Sequence, residues 1–263
     1  MTQSQRRTYL IHRLLEEKKE YEYIQIPWRP EKQETLLRSL MNVRPAVQID
    51  EEFRAVQDVY LQQELKKRGV TDLMSLKPVQ PGVYLWQGDI TTLRCDAIVN
   101  AANSGMTGCY VPCHRCIDNC IHTFAGVQLR LECAELMERQ GYPEPAGKAK
   151  LTKAYNLPCK YVIHTVGPIV GERVTPGQVR LLASCYRSCL ELAEKAGVES
   201  IALCCISTGE FHFPNERAAE IAVETVRRYR QETGSGMKII FNVFKDVDYE
   251  IYQRLLRSTE TPA

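Results

Sequence analysis

The chain has 263 residues, 44% hydrophobic and 25% charged, with a formal net charge of +2 at pH 7. That length suits one large domain, or one domain with a substantial appendage. The near-neutral balance, with no Lys/Arg block, excludes a strongly electrostatic nucleic-acid binder, so no nucleic-acid partner is expected.

Apolar runs fall short of the ~20 residues that span a bilayer. Met1-Thr2-Gln3-Ser4-Gln5-Arg6-Arg7 leads into no signal-peptide core. A cytoplasmic protein without a membrane partner is the expectation, with a monomer as the default. Residues 1–76 read as a helical extension. Tyr9, Leu10, Leu14 and Leu15 form one stripe, Leu36, Leu37 and Leu40 a second, and Phe53, Val56, Tyr60 and Leu61 a third. Pro27 and Pro30 separate the first two helices, and Asp50 is placed to cap the third. Lys77-Pro78-Val79-Gln80-Pro81-Gly82 breaks the pattern and marks a boundary, giving a second unit over residues 77–263.

From there short apolar strands alternate with helices. Residues 83–86, 97–99, 149–155, 161–166, 201–206 and 237–243 read as strands of a sheet covered on both faces. One helical run is expected through Cys120, Phe124, Val127, Leu131 and Ala134. Others follow through Val179, Leu182, Tyr186, Leu190 and Ala193, through Ala218 to Val226, and near the end of the chain. The alternation predicts a three-layer α/β domain preceded by the helical extension.

Eleven cysteines in a long, unsignalled chain do not read as a disulfide scaffold. Cys133, Cys185, Cys189, Cys204 and Cys205 fall on apolar faces and read as small buried hydrophobes. The departure is Gly108-Cys109-Tyr110-Val111-Pro112-Cys113-His114-Arg115-Cys116-Ile117-Asp118, where three thiols and an imidazole fall within eight positions. Cys109, His114 and Cys116 are the candidate metal ligands. Two thiolates and one imidazole leave a tetrahedral zinc ion one open position, as at catalytic sites. Cys113 would close the site as a fourth ligand, although its adjacency to His114 makes joint ligation awkward. A metal-free redox cluster is the remaining alternative. Cys116, at a helix start, is expected to be acidified by the dipole.

Three loops follow strands and should open on one edge of the sheet, where α/β folds bind ligands. Asp89 and Ile90 follow the first strand, and the carboxylate could accept an exocyclic amine or simply make a turn. Asn100 and Asn103 offer amides suited to sugar hydroxyls, or to caps and turns. Ser207, Thr208, Gly209, Glu210 and Phe211 precede a helix, so their backbone N–H groups could approach phosphate oxygens. Asp118 is either a helix-start anion or a catalytic carboxylate, and His122, one turn on, reads as a packed, hydrogen-bonded histidine.

Gly88-Asp89-Ile90-Thr91 and Asp96-Ala97-Ile98-Val99-Asn100-Ala101-Ala102-Asn103 together resemble the opening of a macrodomain. Ile121-His122-Thr123-Phe124-Ala125-Gly126, Tyr161-Val162-Ile163-His164-Thr165-Val166-Gly167-Pro168 and Ile206-Ser207-Thr208-Gly209 extend the resemblance. It implies a three-layer αβα fold with a central mixed sheet that binds ADP-ribose. Asp89 would then take the adenine, Asn100 and Asn103 the distal ribose, and residues 207–211 the pyrophosphate. Where MacroD-type members carry a glycine-rich loop, this chain has Cys109-x4-His114-x-Cys116, which resembles the zinc-dependent macrodomains of bacteria and fungi. That resemblance implies a Zn2+ cofactor, an N-terminal helical extension, and hydrolysis of mono-ADP-ribose from modified proteins at Asp or Glu esters. Asn103 would orient the ribose, while Asp118 would serve as base or hold the water. It also points to a lipoyl-carrier protein resembling the glycine-cleavage H protein as a modified partner. Two rivals stay open: a non-catalytic ADP-ribose reader with a structural zinc, and a hydrolase of O-acetyl-ADP-ribose.

Overall fold

The computed structural model describes residues 1–257. Three helices come first: α1 (Gln3–Glu16), α2 (Pro30–Val43) and α3 (Glu51–Arg68). Thr2 and Gln5 cap α1 reciprocally, and Pro30 opens α2 at a position where its missing N–H costs nothing. Asp50 caps α3, accepting from Phe53 N at 2.7 Å. The three stripes meet in a core of their own around Leu10, Leu14, Leu37, Leu40, Phe53 and Leu61, which Val127 joins from the following unit.

The sheet contains seven strands: β2 (Pro78–Gln80), β3 (Val83–Gln87), β5 (Ala97–Ala102), β6 (Ala149–Lys153), β7 (Tyr161–Val166), β8 (Ser200–Leu203) and β9 (Lys238–Val243). Their order is β2-β3-β9-β8-β5-β7-β6, with the five inner strands parallel and both edge strands antiparallel. A separate short parallel pair joins β1 (Thr71–Asp72) to β4 (Leu93–Arg94). The helices are α4 (Ile117–Ala125), α5 (Val127–Gln140), α6 (Pro176–Lys195), α7 (Asn215–Thr233) and α8 (Asp246–Arg257). This is the expected mixed sheet between helical layers, with α1–α3 ahead of it. Ile98, Val99, Val162, Ile163, Ile201 and Ile239 are fully buried in its core, as strands covered on both faces require.

Four local expectations need correction. The boundary segment contains β2, an edge strand opening on Pro78, where a missing ladder donor is tolerated. The single helical run after residue 117 is two helices, because Gly126 adopts φ +99° and Gln57 of α3 receives the Val127 N–H at 3.0 Å. The strand expected over 201–206 ends at Leu203, so Cys204 and Cys205 lie in the irregular segment beyond it. The strand expected over 149–155 ends at Lys153. All eleven cysteines are free thiols; Cys133, Cys185, Cys189 and Cys204 are buried. No helix among the described residues is long and apolar enough to cross a membrane.

Candidate active site

The loops after β3, β5 and β8 leave the sheet at the carboxyl ends of parallel strands. The chain reverses direction around β5, stepping first to β7 and then back to β8, and such a reversal opens a crevice. The loops from β5 and β8 come together there: His114 Nε2 lies 3.7 Å from Glu210 Oε1.

Cys109, His114 and Cys116 converge, their ligand atoms all within 4.8 Å of one another. Cys109 Sγ and His114 Nδ1 are 3.6 Å apart, close to the separation of two ligands on one tetrahedral ion. A soft, partly buried donor set of two thiols and one imidazole suits zinc. Cys113 is turned away from the trio. It takes a left-handed backbone, φ 54°, and its thiol lies 3.2 Å from Ser39 Oγ and 3.5 Å from the Thr35 carbonyl on α2. Cys116 is the N-cap of α4 and accepts from Asn119 N at 3.4 Å. The expected acidification fails, however: burial, with the Cys109 thiol beside it, pushes the Cys116 thiol up to about 12.

Asp118 follows in the first turn of α4. Its Oδ1 accepts from Asn100 Nδ2 at 2.8 Å and its Oδ2 from Asn103 Nδ2 at 3.3 Å. Burial raises its carboxyl to about 6 against the pull of those hydrogen bonds and of Arg130. Asn103 also donates to the Gly108 carbonyl at 3.0 Å, which ties the β5 loop to the start of the Cys/His loop. The expectation that Asn100 faces the ribose needs correction. It is fully buried within β5 and shares its amide between Asp118 and His164 Nδ1, so it acts through Asp118. His122 corrects a second expectation. It is buried with both ring nitrogens lacking a hydrogen bond, and its Nε2 stands 3.6 Å from Asp118 Oδ1. Burial lowers its pKa well below the usual value, so the ring is neutral. Gly108, at φ +86°, packs on that ring; a Cβ there would lie 2.7 Å from His122 Cγ.

In the first loop, Asp89 Oδ1 accepts from Thr91 N and Thr91 Oγ1, and its Oδ2 pairs with Arg68 at 3.0 Å. Ile90 is buried beside it. In the third loop, Ser207 is buried at φ +66° with an unpaired Oγ, and Thr208 bonds back to the Cys205 carbonyl. Gly209 is exposed, with open space where a side chain would project, and Phe211 packs with Ala102, Met106 and Val166. The loop ends at α7, whose N-terminal N–H groups favour an anion.

Sequence reasoning did not single out Arg38, Asn42, Arg68, Asn119 or Arg130. Arg130 donates to the Thr107 carbonyl and to the carbonyls of Met41 and Asn42. Asn119 is fully buried and holds the Cys109 and Val111 carbonyls at 3.2 and 3.0 Å. Only Asn119, three residues past Cys116 in the first turn of a helix, carried any local signal.

Comparison with known proteins agrees with this architecture. Residues 99–222 match the Macro domain family. A Treponema medium protein named protein-ADP-ribose hydrolase is 56% identical over 260 residues, covering 97% of this chain and 100% of that one. A protein of the same name from Staphylococcus aureus (strain MRSA252) is 51% identical over 248 residues, covering 93% and 92%. The Trypanosoma brucei macrodomain in complex with ADP-ribose superposes with a TM-score of 0.64 at 33% identity, covering 83% of this chain and 94% of that one. With relatives matched along nearly their whole length and a solved macrodomain of similar fold, the chain belongs to the macro domain family.

Proposed function

We propose that this protein is a zinc-dependent hydrolase that removes mono-ADP-ribose from modified protein side chains, at esters of Asp or Glu. The observation that supports the reading is the convergence of Cys109, His114 and Cys116, with the loop that starts them tied to the Asn103–Asp118 pair, beyond the carboxyl ends of parallel strands, where α/β folds bind ligands. The names of the relatives support hydrolysis, and the two thiols and one imidazole support zinc.

Water is added across the bond joining the distal ribose C1″ to the side-chain carboxylate, releasing ADP-ribose and the free acid. Cys109, His114 and Cys116 would hold a zinc ion, which would supply Lewis acidity either to water or to the ribose ester. Asp89, steadied by Thr91 and Arg68, takes the adenine amine with Ile90 packed beside it. Ser207, Thr208, Gly209, Glu210 and Phe211 present backbone N–H groups to the pyrophosphate and cover the neighbouring ribose. That binding energy is remote from the reacting bond and serves to position it. Asn103 orients the distal ribose. Asp118, held by Asn100 and Asn103, accepts the proton of the attacking water, and its raised pKa brings it toward the neutral range that suits a base. Lipoyl-carrier proteins are the modified partners to test first.

The decisive assay is turnover of a mono-ADP-ribosylated protein by metal-replete enzyme. Chelation should abolish hydrolysis while ADP-ribose affinity persists. Zero turnover with intact ADP-ribose binding would make the protein a reader, and turnover confined to O-acetyl-ADP-ribose would make it a metabolite hydrolase.

A further inference from the structure

Two arginines of the helical extension α1–α3 reach the two ends of the site just described. Arg38, in the middle of α2, places Nη2 2.8 Å from the His114 carbonyl and 3.0 Å from Asn119 Oδ1. Asn119 in turn holds the carbonyls of Cys109 and Val111. Through this pair three carbonyls of the Cys/His loop are fixed from one guanidinium. One turn further along α2, Asn42 is 1% exposed, accepts from Cys113 N at 2.9 Å and donates to Thr123 of α4 at 2.8 Å. The loop itself has no regular secondary structure between residues 109 and 116, so its ligand spacing depends on these tethers.

Arg68, the last residue of α3, does the equivalent at the opposite end. Its Nη1 donates to Asp89 Oδ2 at 3.0 Å and to Thr91 Oγ1 at 2.8 Å. Its guanidinium lies 3.6 Å from the centroid of the Phe124 ring. Arg38 approaches the same ring, at 5.9 Å. Phe124 thus stands between the two cations, and α4, which carries it, also carries Asp118. Asp89 keeps acceptor capacity for an amine, because each carboxylate oxygen has two lone pairs and Arg68 uses one of those on Oδ2.

We infer that the helical extension is a two-point positioning element. Arg38 sets the geometry of the Cys109–His114–Cys116 ligands, and Arg68 sets the orientation of Asp89 for adenine. Neither touches the reacting atoms. The inference rests on the reading of the site as a zinc and ADP-ribose centre, and it assigns each arginine a different measurable affinity.

The test is a pair of titrations on folded protein: zinc affinity by competition with a chromophoric chelator, and ADP-ribose affinity by calorimetry. Arg38→Ala should weaken zinc about 10–100-fold, the usual cost of losing a partner that orients a ligand. Its ADP-ribose affinity should stay within about twofold of the parent. Arg68→Ala should reverse the pattern, losing roughly tenfold or more in ADP-ribose affinity, as expected for a hydrogen bond to a charged group, with zinc affinity unchanged. Arg38→Lys and Arg68→Lys keep the charge and protect against loss of fold. A single ammonium cannot match the planar fork, so each should give a smaller loss of the same kind. Equal loss of both affinities in either variant would reduce the extension to general scaffolding and overturn the inference, as would no loss in either. If the two affinities separate as stated but the parent hydrolyses no modified protein, the proposed activity fails and the positioning inference stands. If the parent binds no zinc, the proposed activity and the Arg38 half fall together, while the Arg68 half is still read from ADP-ribose affinity.

Discussion

Asp118 is the residue on which the proposed chemistry turns, and its surroundings set how a buried carboxylate could serve there. Two amides point at it, one from each asparagine of the β5 segment, while Arg130 pulls its pKa down and burial pushes it up to about 6. A carboxyl raised toward the neutral range suits the proposed base. Asp118→Asn removes that base and leaves the volume unchanged. The fold should tolerate it, because the amide oxygen of the new side chain can still accept from Asn100 Nδ2, which keeps its contact with His164. Hydrolysis by Asp118→Asn should therefore fall about 10²–10⁴-fold. ADP-ribose affinity by calorimetry should change little, and a loss of rate below about tenfold would remove Asp118 from the catalytic role. In the sequence, Asp118 and Asn103 could be picked out as short polar residues beside a metal-type cluster. The burial of Asn100 could not, since strand β5 runs further than its apolar core suggests and carries the amide inward with it.

At the scale of elements, the join between α3 and α5 shows why the extension reads well in isolation and poorly as a partner. Its three stripes follow helical spacing and meet in one core, which periodicity alone reveals. How it docks depends on polar groups that no periodicity marks. Gln57, in the middle of α3, is fully buried: its Oε1 accepts the Val127 N–H at 3.0 Å and its Nε2 donates to Gln128 Oε1 at 2.6 Å. One side chain thus caps a helix 70 residues away, and glycine is favoured at 126 because its backbone takes φ +99°, which strains any side chain. Gln57→Ala leaves the Val127 N–H and the Gln128 amide without their partner. It should cost about 1–3 kcal/mol of stability, the desolvation penalty of buried unsatisfied groups. Urea unfolding checks this: the midpoint should drop at an unchanged m-value. A midpoint within error of the parent would mean that water replaces the glutamine at no cost. Gln57→Glu separates shape from charge, since it retains the acceptor for Val127 but loses the donor to Gln128.

For the molecule as a whole, the alternation of apolar strands and helices is enough to read the layered fold, because strands buried on both faces leave an unmistakable hydrophobic pattern. The order β2-β3-β9-β8-β5-β7-β6 is not legible in that way, since register and neighbour choice depend on contacts far apart in the chain. Nor is the polar column beneath the site, in which His164 links β5 to β6. Its Nδ1 accepts from Asn100 at 3.1 Å, so Nε2 carries the proton toward Thr152 Oγ1 at 2.9 Å, with Cys133 Sγ at 3.8 Å and the neutral His122 ring 6.0 Å away between centroids. Burial depresses its pKa to about 3, against about 6.5 for an unfolded histidine. The unfolded chain therefore binds the extra proton throughout that window, and stability must fall as pH drops from about 6.5 toward 3. The slope approaches ~1.4 kcal/mol per pH unit for this one ring. Asp118 titrates in the same range with the opposite sign, because its folded pKa is raised and protonation favours the native state there. The ring's share is isolated by comparing the parent with His164→Gln, in which Asp118 is retained. Urea unfolding free energies measured between about pH 6 and pH 4 should fall more steeply in the parent, by about 1 kcal/mol per pH unit. Parallel curves would mean that His164 takes up a proton in the folded protein, and that the column joining β5, β6 and α5 opens to water well above about pH 4.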